Sequence, residues 1–118
     1  MTNERWVRVT TVDHIPPREG RPVTIGSREI AIFNLGDRFL ATDNRCPHQA
    51  GPLCDGILTG ESVVCPLHAW KVNLAGGRVE RPANARDHCV STYPVRVDDG
   101  VVVIALPVLA SAPPGAAA

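Results

Sequence analysis

The chain has 118 residues, a length that fits one domain with one hydrophobic core. Its 12 basic and 12 acidic side chains give a formal net charge of zero, so it lacks the basic excess of proteins that bind nucleic acids or anionic membranes. The longest apolar run, residues 101–106, is far below the roughly 20 residues of a membrane span. The N-terminus lacks the apolar stretch of a signal peptide, so we expect a cytoplasmic protein with no membrane or nucleic-acid partner.

Short stretches of β-forming residues, separated by turns, run from residue 5 to residue 106. Glycine-containing turns are predicted at residues 26–27, 36–37, 75–77 and 98–100. No window of helical length shows a convincing 3.6-residue apolar period. The pattern therefore predicts an all-β fold, a small sandwich or barrel. The predicted strands cover residues 6–11, 22–25, 28–35, 38–42, 62–65, 69–74, 93–97 and 101–106.

The last residues have a different composition. From residue 107 to residue 118 the chain is dominated by proline, alanine, glycine and serine. Such a segment cannot bury enough apolar surface to order itself. We therefore predict a folded domain over residues 1–106 and a disordered tail over residues 107–118.

Two short segments carry the chemistry of the chain, Cys46-Pro47-His48 and Cys65-Pro66-Leu67-His68. Together they read Cys-x-His-(x16)-Cys-x-x-His, and each follows a predicted strand. Each offers one thiolate and one imidazole, so two adjacent loops would supply a four-ligand metal site. Cysteines of a cytoplasmic protein are better explained by metal or redox chemistry than by disulfides.

Two metal groups suit this ligand set. Zinc accepts two cysteines and two histidines, although common zinc fingers pair cysteine with cysteine and histidine with histidine. In a Rieske [2Fe–2S] centre two histidines replace two cysteines on one of the irons. That centre needs one Cys and one His from each of two loops, which is the order found here. The spacing favours the iron–sulfur cluster, with zinc as the alternative.

The ligand charges predict what such a cluster would do. Two neutral imidazoles in place of two thiolates make the cluster less negative, so it accepts an electron more readily than an all-cysteine cluster. The second ring nitrogen of each imidazole can also couple protonation to the redox state. We therefore expect single-electron transfer at a reduction potential above that of plant-type ferredoxins.

On these motifs the sequence resembles the Rieske family over residues 5–106. The resemblance implies an antiparallel β-sandwich with a small cluster-binding subdomain. It implies one [2Fe–2S] cluster on Cys46, His48, Cys65 and His68. It also implies that a proline-containing third loop, around Arg81-Pro82-Ala83, covers the cluster.

The sequence departs from the patterns of two branches of the Rieske family, and these differences exclude both branches. Membrane-bound respiratory and photosynthetic Rieske proteins carry a disulfide whose two cysteines are replaced here by Gly51 and Leu67. Oxygenase α-subunits add a large domain with a mononuclear iron, for which this chain has no room. The resemblance therefore implies the soluble class of lower potential.

Within that class the chain is most similar to the small subunit of assimilatory NAD(P)H-dependent nitrite reductase. By that resemblance its partner is a large catalytic subunit with flavin, an iron–sulfur cluster and sirohaem, which reduces nitrite to ammonia. The alternative is a Rieske ferredoxin that carries electrons from a flavin reductase to a ring-hydroxylating dioxygenase. In both cases the chain is not catalytic alone, and no catalytic residue is assigned to it. The resemblance rests on residues 30–33, 44–48, 51–53, 55–56, 64–68, 70–71 and 93–95.

Several other reactive side chains have ordinary interpretations. Cys54 and Cys89 fit no ligand pattern, and we expect reduced, partly buried thiols, with a bond between them as the alternative. His14 and His88 are expected at the surface. Trp70, close to the second histidine, is expected to pack in the core, with shielding of the cluster or electron transfer as its alternative roles.

Overall fold

The computed structural model describes residues 4–45, 51–66, 69–85 and 88–107. These segments contain strands and three short 3-10 turns, at Val12–His14, Leu53–Asp55 and Ala83–Ala85, and no helix in them is long and apolar enough to cross a membrane. The strands are β1 (Glu4–Thr11), β2 (Gly20–Ile25), β3 (Arg28–Asn34), β4 (Phe39–Asp43), β5 (Ile57–Thr59), β6 (Ser62–Val64), β7 (Lys71–Asn73), β8 (Val79–Arg81), β9 (Thr92–Tyr93), β10 (Val95–Asp98) and β11 (Val101–Pro107).

Two of the three antiparallel sheets form a base. One has the order β1-β11-β10 and the other β2-β3-β4-β9. Apolar side chains from both sheets pack into a common core, because alternate residues of each strand point to the same face. We call this cluster the base core, and its buried members are Ile15, Ile30, Ile32, Ala41, Tyr93, Val102, Ile104 and Leu106.

The third sheet, of order β5-β6-β7-β8, forms the small subdomain. Its strands have three residues each, and its apolar side chains pack against a different set of partners. We call this second cluster the loop core, because it also contains residues of the connections that follow β4 and β6. Its buried members are Ala31, Phe33, Leu35, Leu53, Cys54, Val63, Cys65, Val72, Leu74, Val79, Ala85 and Val90.

Strand β3 belongs to both cores. Ile30 and Ile32 are fully buried in the base core, whereas Ala31 and Phe33 are fully buried in the loop core. Successive side chains of a strand point to opposite faces, so one continuous apolar run supplies two cores. This strand fixes the subdomain to the base.

The prediction of an all-β sandwich with a small subdomain is confirmed, with differences at single elements. Strands β5 and β8 were not predicted, because each is a three-residue stretch next to a glycine or proline that indicates a turn: Gly56 and Gly60 flank β5, and Pro82 follows β8. The strand predicted over residues 69–74 is shorter, because Ala69 has a φ of 59°, outside the β region. Strand β11 includes Pro107, and the rest of the predicted tail, residues 108–118, lies outside the described residues.

The Glu80 carboxylate connects three strands of the small sheet. Glu80 accepts hydrogen bonds from Ser62 Oγ at 2.7 Å and from Asn73 Nδ2 at 3.2 Å, and Lys71 Nζ lies 3.9 Å from it. These donors stabilise the ionised form and hold the pKa of Glu80 below its usual value, with the Ser62 bond as the largest cause. Glu80 therefore links β8 to side chains on β6 and β7.

Gly56 marks the closest approach of the connection after β4 to the small sheet. A Cβ added at Gly56 would lie 2.4 Å from the carbonyl oxygen of Val64 and 2.6 Å from Cγ2 of Val63. Only a residue without a side chain allows this contact. The glycine therefore brings the segment that follows Cys46 and His48 against the strand that leads into Cys65.

We predict that Phe33→Ala lowers the free energy of unfolding by about 3–5 kcal/mol, because it removes a buried aromatic ring from the loop core. Urea denaturation followed by circular dichroism measures this change. Val97→Ala, in a strand position that is 48% exposed, is the control and should change the free energy by less than about 0.5 kcal/mol. Equal losses in the two variants would contradict the assignment of Phe33 to a core.

We predict that Gly56→Ala also lowers the free energy of unfolding, by about 1–3 kcal/mol, because the new methyl group overlaps backbone that cannot move freely. The matched control is Gly76→Ala, where an added Cβ meets its nearest neighbour, Asn73 Oδ1, at an ordinary 3.9 Å. The same denaturation measurement applies. A Gly56→Ala protein as stable as the Gly76→Ala protein would refute the close contact.

Candidate metal centre

One of the four predicted ligands falls within the described residues. Cys65 follows β6, is only 2% exposed, and carries a free thiol in the loop core. Cys46, His48 and His68 lie outside the described residues. The structure therefore shows the place of one ligand and the segments that lead into and out of the positions of the other three.

The second ligand loop spans residues 65–70 and is closed by its own backbone. The Cys65 N–H donates to the Trp70 carbonyl at 2.7 Å, and the Ala69 N–H donates to the Cys65 carbonyl at 3.1 Å. Ala69 has the left-handed conformation, which costs a non-glycine residue about 1–2 kcal/mol. These bonds reverse the chain between β6 and β7 and bring the end of the loop back to Cys65.

The first ligand loop follows β4 and is closed by a side chain. Asn44 is 2% exposed, and its Oδ1 accepts a hydrogen bond from the backbone N–H of Cys54 at 2.8 Å. Its Nδ2 donates to Glu29 Oε2 at 3.2 Å, and its backbone N–H donates to the Glu29 carbonyl at 2.9 Å. One buried amide therefore joins the start of the loop, its end and strand β3.

The residue before Asn44 is held as well. The Asp43 N–H donates to the Ser91 carbonyl at 2.9 Å, and the Tyr93 hydroxyl donates to the Asp43 carboxylate. Arg28 Nη1 donates to the same hydroxyl at 3.0 Å. Burial and the carboxylate partner raise the pKa of Tyr93, so the phenol keeps its proton and remains a donor. The entry to the first loop is therefore fixed from two sides.

A third loop lies beside the second. After the cis peptide Arg81–Pro82, the Ala85 N–H donates to the Pro82 carbonyl at 3.0 Å and the Val79 N–H donates to the His88 carbonyl at 3.2 Å. The rings of Trp70 and His88 meet edge to face, with centroids 5.4 Å apart. The predicted proline-containing loop thus contacts the second loop, while its covering of the cluster stays a prediction.

The remaining predictions for reactive side chains have mixed outcomes. Cys54 and Cys89 are free thiols, so the alternative of a bond between them is wrong. Cys54 is buried, and burial raises its pKa, so the thiol stays protonated. Cys89, which forms an isolated bridge with Arg78, is exposed, so the expectation of a partly buried thiol was wrong there. His14 and His88 are exposed, and Trp70 is partly buried against the loop core, all as predicted.

The described surroundings fit an iron–sulfur cluster. A buried free thiol supplies a soft ligand, as both iron–sulfur clusters and zinc require, and the apolar loop core around Cys65 excludes water from one side. Within the described ranges, which omit Cys46, His48 and His68, no group of three or more potential metal-ligating side chains comes together. The loops at Cys65 and after Asn44, which carry the predicted ligands, stay the candidate place for the group.

Two of these features, the role of Asn44 and the contact between Trp70 and His88, were not predicted from the sequence. Asn44 was part of the resemblance without a role, although an asparagine at the end of a strand often bonds to nearby backbone. The contact between Trp70 and His88 had no signal in the sequence, because it joins residues of two different loops.

Comparisons with known proteins agree on the family. Residues 5–95 match the Rieske [2Fe-2S] domain. The ferredoxin component of an alkene monooxygenase system from Xanthobacter autotrophicus is 34% identical over 100 residues, 84% of this chain and 80% of the relative. The ferredoxin component of naphthalene 1,2-dioxygenase/salicylate 5-hydroxylase systems from a Ralstonia species is 30% identical over 101 residues, 86% of this chain and 95% of the relative.

A solved structure points to a second kind of relative. A protein described as a nitrite reductase NADPH small subunit superposes with a TM-score of 0.74 and 26% sequence identity, over 85% of this chain and 97% of that chain. The family match covers both ligand motifs and the strands that carry them. The chain therefore belongs to the Rieske [2Fe–2S] domain family, and it is a small electron-transfer protein that carries a [2Fe–2S] cluster.

Proposed function

We propose that this chain is the electron-transfer small subunit of a cytoplasmic NAD(P)H-dependent nitrite reductase. The proposal is supported by the positions of three residues from the segments that resemble nitrite reductase small subunits. Trp70, at the end of the second loop, packs against the loop core. The Tyr93 hydroxyl donates a hydrogen bond to Asp43 just before the first loop, and Asn44 closes that loop. The motifs that resemble nitrite reductase small subunits are thus the ones that build the surroundings of the centre.

The four predicted ligands have separate tasks in this proposal. Cys46 and Cys65 would hold one iron as thiolates, and His48 and His68 would hold the other through neutral imidazoles. The bound cluster accepts and passes one electron at a time. The loop core keeps the Cys65 sulfur away from water, and the ring of Trp70, at the end of the second loop, contacts the ring of His88 in the third loop. The reduction of nitrite to ammonia would take place on the large subunit, with its flavin, iron–sulfur cluster and sirohaem.

A second candidate is a ferredoxin for an oxygenase. The observation that favours it is the sequence identity of 30% or more to ferredoxin components of dioxygenase and monooxygenase systems. Its ligands and its cluster would be the same, and only the donor and acceptor proteins would differ. A flavin reductase would then replace the large nitrite reductase subunit as electron donor.

We predict that His68→Ala removes the visible absorption of the cluster, because one iron loses a ligand. His14→Ala, at an exposed histidine bonded to Thr10 and Thr11 far along the sequence from either loop, is the control and should keep that absorption. The purified parent protein should contain iron and sulfide and show a potential between about −150 and +300 mV, above the about −400 mV of plant-type ferredoxins. Unchanged absorption in His68→Ala, or zinc in place of iron, would refute the ligand set.

The choice of partner is tested by affinity purification from the native host grown on nitrate, with growth on ammonium as the control. We expect a large protein with the absorption bands of sirohaem and flavin to co-purify with the chain from nitrate-grown cells. Recovery of a flavin reductase or a non-haem iron oxygenase would contradict the nitrite reductase proposal and establish the ferredoxin instead.

A further inference from the structure

We propose that Asn44 is the positioning residue of the first ligand loop. Its side-chain amide would hold the two ends of the loop together, so that Cys46 and His48 reach the cluster at a constant distance. The proposal rests on the ligand set put forward above, and it does not depend on which protein is the partner. Asn44 touches no predicted ligand in the described residues. It would act through the backbone of the loop that it closes.

The contacts of Asn44 show how it closes that loop. The Cys54 N–H that bonds to Oδ1 is buried and lies ten residues along the chain, beyond the positions of Cys46 and His48. The Glu29 carboxylate that accepts from Nδ2 lies on β3, which is anchored in both cores. The two ends of the loop are therefore held at one point, and that point is fixed to strand β3, in which five of seven residues are buried.

The chemistry of the side chain explains why asparagine suits this position. The first partner is a donor and the second is an acceptor, so the side chain must accept and donate at the same time. An aspartate could only accept and would add a negative charge beside Glu29. An apolar residue would leave the buried Cys54 N–H without its partner, which destabilises the folded state.

Fixing the loop has a consequence for the metal centre. Hydrogen bonds that orient the ligands of a metal commonly change metal affinity by about 10–100-fold when they are removed. A loop whose ends can separate would present its thiolate and imidazole at variable distances, so the bound group would be lost more often. Variable ligand distances would also alter the environment of the irons and shift their potential.

A matched control separates positioning from stability. Asn34 is also a buried asparagine that donates and accepts, through Nδ2 to the Ile15 carbonyl and through Oδ1 from the Gly36 N–H, both at 2.8 Å. It holds a connection that carries no predicted ligand. Asn34→Ala should therefore destabilise the fold in the same manner as Asn44→Ala without touching the ligand loop.

The experiment compares the iron-loaded parent protein with Asn44→Ala and Asn34→Ala. The readouts are iron per folded chain, the rate at which visible absorption is lost on dilution with a chelator, and the reduction potential. We expect Asn44→Ala to lose its cluster about 10–100-fold faster and to show a shifted potential, while Asn34→Ala keeps the parent potential. Cluster loss and potential that are the same in both variants would overturn the proposal.

A pair of substitutions of similar size to the native side chains tests the hydrogen bond between Asn44 and Glu29. Asn44→Asp keeps an acceptor for the Cys54 N–H but faces the Glu29 carboxylate, so it should also speed the loss of the cluster. Combining it with Glu29→Gln supplies an amide donor from the other side and should restore retention and potential toward the parent values. A double variant no better than Asn44→Asp alone would overturn the role of Glu29, and a parent protein without iron would overturn both the ligand set and this proposal.

Discussion

Strand β3 is buried on both faces, and the rest of the structure depends on it. Its even-numbered isoleucines fill the base core and its odd-numbered residues fill the loop core, so a shift of one residue would exchange the two sets. Arg28 and Glu29, at its start, also bond to Tyr93 and Asn44 beside the first ligand loop. The strand thus transmits the rigidity of the large sheets to the small subdomain.

The small sheet packs mainly against residues from outside itself. Its four strands have three residues each, and only Val63, Val72 and Val79 of the twelve buried members of the loop core lie on them. The loop core provides that packing, and three of its buried members, Leu53, Cys54 and Cys65, come from the ligand loops. Because metal binding is coupled to folding, we expect the bound cluster and the small sheet to stabilise each other.

The sequence predicted those parts of the structure that have a periodic or chemical pattern. Strands β1, β3 and β11 have long alternating or apolar runs, and the ligand motifs have a characteristic spacing. Strands β5 and β8 were missed because each is a three-residue stretch next to a glycine or proline, which indicates a turn. The role of Asn44 was missed for another reason: its bonds to Glu29 and Cys54 span 15 and 10 residues, and such contacts exist only after the strands have paired.

The features that hold the cluster can also be separated from those that select its partner. Electron transfer by this family depends on the ligand loops and on the core behind them, and those features are shared by relatives that serve different enzymes. The exposed side chains around the loops, such as Pro66, Ala69 and His88, are where we expect a partner to bind. On the proposals made above, buried positions like Asn44 and Cys65 determine that a cluster is held, whereas these exposed positions determine which protein exchanges electrons with it.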